Sequence, residues 1–191
     1  MSSALATDSI PGYLAGTWKP DPAHSEVGFS GRHLLISNTR GRFTGYDVTI
    51  VTGEDPLRSS VTATIDLTTV DTRLKMRDDH LRSADYLDVE KYPTMTYQST
   101  GIRLADGGEP GDWVIDGKLT LHGVTRPVPL ALEVLGFGTD PWGGQRAGFC
   151  ATARISRRDF GIGWADGVDA GGAAVADKVS VTLDIEAVLQ Q

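Results

Sequence analysis

Four histidines and one cysteine are the residues in this chain suited to proton transfer, metal ligation or nucleophilic attack: His24, His33, His80, His122 and Cys150. A metal centre needs three or four ligands brought together, and no pair of these histidines has the close spacing of a motif such as H-x-x-x-H. His33 falls on the inward parity of its strand and His80 in a helical stretch. Those two could approach one another and act as acid and base on a bound substrate, although a hydrogen-bonded structural histidine is the simpler reading. His24 and His122 sit beside turns, where side-chain to backbone hydrogen bonds are common. Cys150 takes the outward parity of its strand with no histidine placed beside it, which argues against a nucleophile. G-x-S-x-G, P-loop and dinucleotide-binding glycine patterns are absent. The expectation is a protein with no catalytic residue, no metal ligand and no cofactor.

Two charged clusters remain. Arg77, Asp78, Asp79, Arg82, Asp85 and Asp88 recur at offsets of three and four, as an ion-paired helix face does; the functional alternative is a polar gate. Arg157, Arg158 and Asp159 pose the same choice, and an arginine there could meet a phosphate head group. The formal net charge of −7 argues against nucleic acid or an anionic membrane surface as partner, since both need clustered cations. No apolar run approaches the ~20 residues of a membrane helix, so no integral membrane segment is expected. One cysteine permits no intrachain disulfide, which fits a reducing compartment. The first residues, MSSALATDSIPGYLAG, lack the charged and apolar regions of a signal peptide. A cytoplasmic location is therefore expected, with residues 1–16 as a flexible arm and 17–191 as one domain.

The elements that must position these residues read almost entirely as strands. Val61, Ala63, Ile65 and Leu67 alternate with Thr62, Thr64, Asp66 and Thr68, giving one buried and one wet face. The same period-two pattern places Val27, Phe29, Gly31 and His33 together. It also groups Trp113, Ile115, Gly117, Leu119 and Leu121, then Val128, Leu130, Leu132 and Val134, and finally Val179 through Ala187. Asn38–Gly41 reads as punctuation between strands, and GVDAGGAAVAD at 167–177 as a loop. Pro127 and Pro129 predict an interruption near the start of their strand. A helical insert at about 73–88 breaks the pattern, with Thr72 as N-cap, Leu74, Leu81 and Ala84 on one apolar face, and Pro93 ending it. About eight strands on short turns, with no βαβ rhythm, predict an antiparallel sandwich or an up-and-down barrel. The inward residues Ala63, Gly117, Ala147, Ala151, Ala153 and Ala187 are small, which favours a hollow interior over a filled one.

In order along the chain stand WKPDPAHSEVGFSGRHL at 18–34, GRFTGY at 41–46, IDLTTVDT at 65–72, RDDHLRSADYLD at 77–88, YPTMTY at 92–97, GKLTLHGVTRPV at 117–128 and RRDFG at 157–161. This ordered set resembles the YceI-like family of polyisoprenoid-binding proteins. The resemblance implies an all-β fold, a single extended antiparallel eight-stranded lipocalin-like barrel carrying the one helical insert. It also implies a long apolar chain inside, such as a polyisoprenoid, an isoprenoid quinone or a fatty-acid-like lipid, held for carriage, storage or sequestration, often by a homodimer. The candidate lining is Phe29, His33, Phe43, Val48, Ile65, Leu67, Met76, His80, Leu81, Met95, Leu119, Leu121, Phe149 and Phe160. The rival reading is a barrel enzyme acting on a bound lipid or quinone through His33 and His80.

Overall fold

Alternating side chains dictate strands with one apolar face, and such strands are stable only when those faces close on one another. The computed structural model describes residues 10–33, 36–107, 112–163 and 175–190, and shows how they close. Twelve strands are formed: β1 (Gly16–Pro20), β2 (Glu26–His33), β3 (Ser37–Phe43), β4 (Tyr46–Thr52), β5 (Ser60–Asp66), β6 (Val70–Asp71), β7 (Thr94–Leu104), β8 (Asp112–Leu121), β9 (Val124–Pro127), β10 (Leu130–Thr139), β11 (Gln145–Ser156) and β12 (Val175–Leu189), with helix α1 (Lys75–Arg82) between β6 and β7. Four pairs of short strands are single staves with a kink or interruption. β1 runs into β2, β3 into β4, β5 into β6, and β9 into β10. Joined this way, the chain is an eight-stave antiparallel meander in sequence order. It closes on itself because β12 pairs with β1 at one end (Trp18 opposite Leu189) and with β2 along the rest (Phe29 opposite Val181).

Of the sandwich and the barrel that the alternation left open, the chain forms the eight-stranded barrel that the resemblance implies. As the prolines predict, β9 ends at Pro127 and the next strand begins only at Leu130, with one bond between them, from Val128 N–H to Gly117 C=O (2.9 Å). Asn38–Gly41, read as punctuation, lies inside β3 instead. Gly41 is there because a Cβ at that position would strike the Phe29 ring and approach Thr72 Cγ2 to 2.8 Å. The expected loop at 167–177 falls largely outside the described residues; its end, Val175 to Asp177, is already part of β12. Residues 1–9 of the expected arm are likewise not described. No described helix is long and apolar enough to cross a membrane.

The insert is shorter than its spacing suggests. α1 spans only Lys75–Arg82, and Leu74, not Thr72, occupies the N-cap without a side-chain hydrogen bond. Arg73 adopts φ 63° and so cannot continue a helix backwards. Thr72 is engaged by Asp78 instead, whose carboxylate accepts its N–H (2.8 Å) and its hydroxyl (2.5 Å). Leu74 is 47% exposed and Ala84 lies beyond the helix in solvent. Residues 83–92 continue as turns, tied back by Leu87 N–H to Leu81 C=O (3.0 Å) and Val89 N–H to Arg82 C=O (3.0 Å).

Two tight spots hold the walls. Trp18 is wholly buried against Ala147 and Ala187, and its indole N–H donates to Thr52 Oγ1 at 2.8 Å. The Tyr97 ring crosses Gly117 and its hydroxyl reaches the carbonyls of Ile115 (3.3 Å) and Val128 (3.0 Å). A charged knot fastens the β1–β2 kink. Arg146 donates to Asp21 (2.6 Å), Glu186 (3.2 Å) and Asp140 (3.0 Å), and His24 Nδ1 lies 3.0 Å from Asp21. Asp21, His24 and Glu186 are close enough to be a metal's donor set, but the Arg146 guanidinium already supplies the positive charge among them.

Gly117→Ala is expected to cost about 1–3 kcal/mol in urea unfolding, because the new methyl meets the Tyr97 phenol and, at 2.9 Å, the Gln98 carbonyl. The knot has a pH signature. Hydrogen bonds from His24, the Ala23 amide and Arg146 hold the Asp21 carboxyl well below its ordinary range, and the bond to Asp21 raises the His24 imidazole. The Asp21 contribution is complete above the unfolded carboxylate value near ~4 and is lost as pH falls through the lowered folded one. The His24 contribution is complete below ~6.5 and is lost as pH rises through the raised folded one. In an NMR titration His24 should therefore turn over above ~6.5, and Asp21→Asn should bring the midpoint down; a midpoint insensitive to that change means the pair does not form in solution.

Candidate ligand-binding site

The barrel encloses a cavity of about 1080 Å³ that runs along its length. Its walls come from the inward parity of every stave. Small residues make the room: Ala63 on β5 and Ala151 and Ala153 on β11 all face it, where larger side chains would fill it. The structure brings twelve of the candidate residues to its surface: Phe29, His33, Phe43, Val48, Ile65, Leu67, His80, Leu81, Met95, Leu119, Leu121 and Phe149. Two do not reach it. Met76 is 77% exposed and projects into solvent from α1. Phe160 is 1% exposed in the 3₁₀ turn after β11, packed into the core outside the cavity, where its carbonyl lies 3.2 Å from His122 Nδ1.

Several lining residues escaped the pattern reading. Ile10 and Tyr13 precede the first strand and belong to no periodic run. Tyr97, two residues after the candidate Met95 on the same strand face, also lines the cavity. Of the charged lining, Glu26, Arg32, Arg40, Arg42, Asp71 and Arg73 were singled out by no pattern, whereas Arg77 and Arg157 belong to the clusters for which a gate or a head-group contact was the alternative reading.

Polarity is divided along the cavity. Its charged lining comes from β2, β3, β6, the start and body of α1, and Arg157. Arg42 is paired with Asp71 at 3.2 Å, whereas Arg32 and Arg40 form no ion pair among the described residues. The opposite end is lined by Ile10, Tyr13, Thr52, Pro56, Ser59, Ile102, Trp113 and Phe137, with no charged side chain among them.

α1 borders the charged end and is laced down by polar bonds. Asp78, 7% exposed, holds Thr72, and Arg77 donates to Thr72 Oγ1 (2.7 Å) and carbonyl (2.8 Å). Arg82 donates to the carbonyls of Thr68 (2.8 Å) and Val70 (3.0 Å). His80 Nε2 lies 2.9 Å from Asp85, and its ring meets Tyr86 edge-on at 5.0 Å. Only Leu81 inserts an apolar side chain from α1 into the core. The arrangement can receive one elongated apolar molecule and place positive charge beside one of its ends.

Asp78→Ala leaves the Thr72 amide and hydroxyl without their acceptor and should cost about 1–3 kcal/mol in chemical denaturation. Amide hydrogen exchange should accelerate across residues 72–82 first; a uniform change over the barrel would show that α1 is anchored by something else.

A model of the YceI-like domain family matches residues 18–187. Protein YceI of Escherichia coli O157:H7 is 42% identical over 169 residues, covering 88% of this chain and 83% of that protein. A UPF0312 protein of Vibrio cholerae is 43% identical over 146 residues, 73% of each chain. Among solved structures, Burkholderia cenocepacia BcnA superposes with a TM-score of 0.73 at 25% identity, over 90% of this chain and 99% of that one. A polyisoprenoid binding domain from Saccharophagus degradans shares the fold, with a TM-score of 0.65 at 16% identity over 93% of this chain and all of that one. With the family model spanning nearly the whole barrel and relatives above 40% identity, the chain belongs to the YceI-like domain family.

Proposed function

We propose that the protein is a non-catalytic carrier or store for a long-chain apolar lipid, a polyisoprenoid or a molecule of similar shape, held inside the barrel. The observation that carries this reading is the apolar cavity of about 1080 Å³ with charge confined to one end. An extended hydrocarbon makes no directional demand along its length, so burial alone suffices for affinity. Each buried methylene contributes about 0.8 kcal/mol, against an association cost on the order of 4–15 kcal/mol. About five carbons only meet the low end of that cost, whereas about nineteen offset its upper end, so a long chain is needed for a secure surplus. The fold shared with a polyisoprenoid binding domain accords with this class of occupant. The lipid lies with its tail toward Trp113 and its head among the arginines, and a phosphorylated or carboxylated head fits that end better than a neutral one. The hydrogen-bonded His80–Asp85 pair serves to hold α1.

Mass spectrometry of organic extracts of the purified protein should reveal a stoichiometric long-chain lipid. A bulkier wall residue, Ala153→Phe, should abolish its retention while the far-ultraviolet circular dichroism stays that of the wild type. Lipid-free extracts, together with no uptake of added prenyl phosphate, would falsify the proposal. Replacing Arg32 and Arg40 together by alanine should weaken a prenyl phosphate about tenfold and leave the alcohol of equal length unchanged.

A further inference from the structure

The segment just ahead of the barrel crosses the end opposite α1. Leu14 C=O accepts from the Thr52 hydroxyl at 2.6 Å, which fixes one side of the segment to β4. Gly12 lies against β10 on the other side. It adopts φ 73°, and a Cβ there would come within 3.1 Å of the Phe137 carbonyl oxygen. In the ring of eight staves, β4 and β10 are diametrically opposed. The segment is thus a strap drawn across the whole opening.

Two of its side chains, Ile10 and Tyr13, are turned into the cavity. Ile10 is 8% exposed and packs on Trp113. Tyr13 stands edge-on to Phe137 with ring centroids 5.2 Å apart, and its hydroxyl donates to the Gly53 carbonyl (2.8 Å) and lies 3.2 Å from Ser59 Oγ. Partial burial raises the Tyr13 phenol above its ordinary value. Ile10 and Tyr13 line the cavity directly, as a floor would. They also lie ahead of residue 18, where the match to the family begins.

We propose that Ile10 and Tyr13 are specificity-determining residues that form the floor of the cavity and set the longest chain it can take. This rests on the lipid-binding reading above. An open barrel lets a longer tail protrude from the far end; a floor makes each carbon beyond the limit displace a packed side chain, at the cost of overpacking. Affinity for a homologous series then rises with length and falls after a limit set by the floor.

The test uses the full-length chain and a graded series of straight-chain fatty acids, each competing with a bound fluorescent apolar probe. The wild type should show a length limit. Ile10→Ala should move the limit to longer acids by roughly three carbons, the number removed from the side chain. Ile10→Trp should move it to shorter ones. Opposite shifts from two substitutions at one site exclude general loosening of the fold, and thermal unfolding of each variant checks that the barrel is intact. An unchanged limit in both variants, or affinity that keeps rising with length in the wild type, overturns the floor. Failure of the wild type to bind any acid of the series counts instead against the lipid-binding reading itself.

Discussion

The width of a closed eight-stave sheet is set by strand number and tilt, not by the side chains it contains. That constraint organises this protein. Once β12 pairs with both β1 and β2, the interior has a given diameter, and the inward residues decide only how much of it is occupied. Beside Trp18 the answer is a filled core, because the indole packs over Ala147 and Ala187. Around Ala63, Ala151 and Ala153 the answer is a void. Core and ligand cavity are the same barrel lined differently.

Much of this was legible from the residues. Period-two alternation located the staves, their inward faces and the interruption at Pro127, because a half-buried strand has no other way to satisfy both its faces. The small inward residues were noticed but not resolved into their separate roles. Ala63, Ala151 and Ala153 make room for a ligand, Ala147 and Ala187 for Trp18, and Gly117 for the Tyr97 ring. Alternation reports facing, and says nothing of what stands opposite. The insert was overextended for a related reason. Leu74 and Ala84 fit a helical period, but the Thr72–Asp78 bonds and the positive φ of Arg73 stop the helix at Lys75, and neither is a periodic signal. Ile10 and Tyr13 were invisible because a strap has no period at all.

The two ends of the barrel are closed by different physics. The far end is packed by aromatic rings and Ile10, and the polar atoms of Tyr13 and Thr52 are satisfied by neighbouring backbone. The α1 end is held mainly by hydrogen bonds from Asp78, Arg77 and Arg82, while Leu74 and Met76 remain in solvent. A segment with few buried apolar contacts and many exposed polar ones opens at lower free energy than a packed core. On the lipid-binding function proposed above, a ligand enters by the helix end, where the arginines stand.

The pairing of Trp18 with Leu189 joins the first strand of the barrel to its last. The ring cannot shut until β12 has left the ribosome, since β12 supplies partners to β1, β2 and β11 at once. Until then, two unsatisfied strand edges and an uncovered greasy face coexist in the nascent chain, the combination most prone to intermolecular association. Loss of β12 would make that exposure permanent, so the integrity of that one strand governs whether the product is a closed barrel or an aggregate.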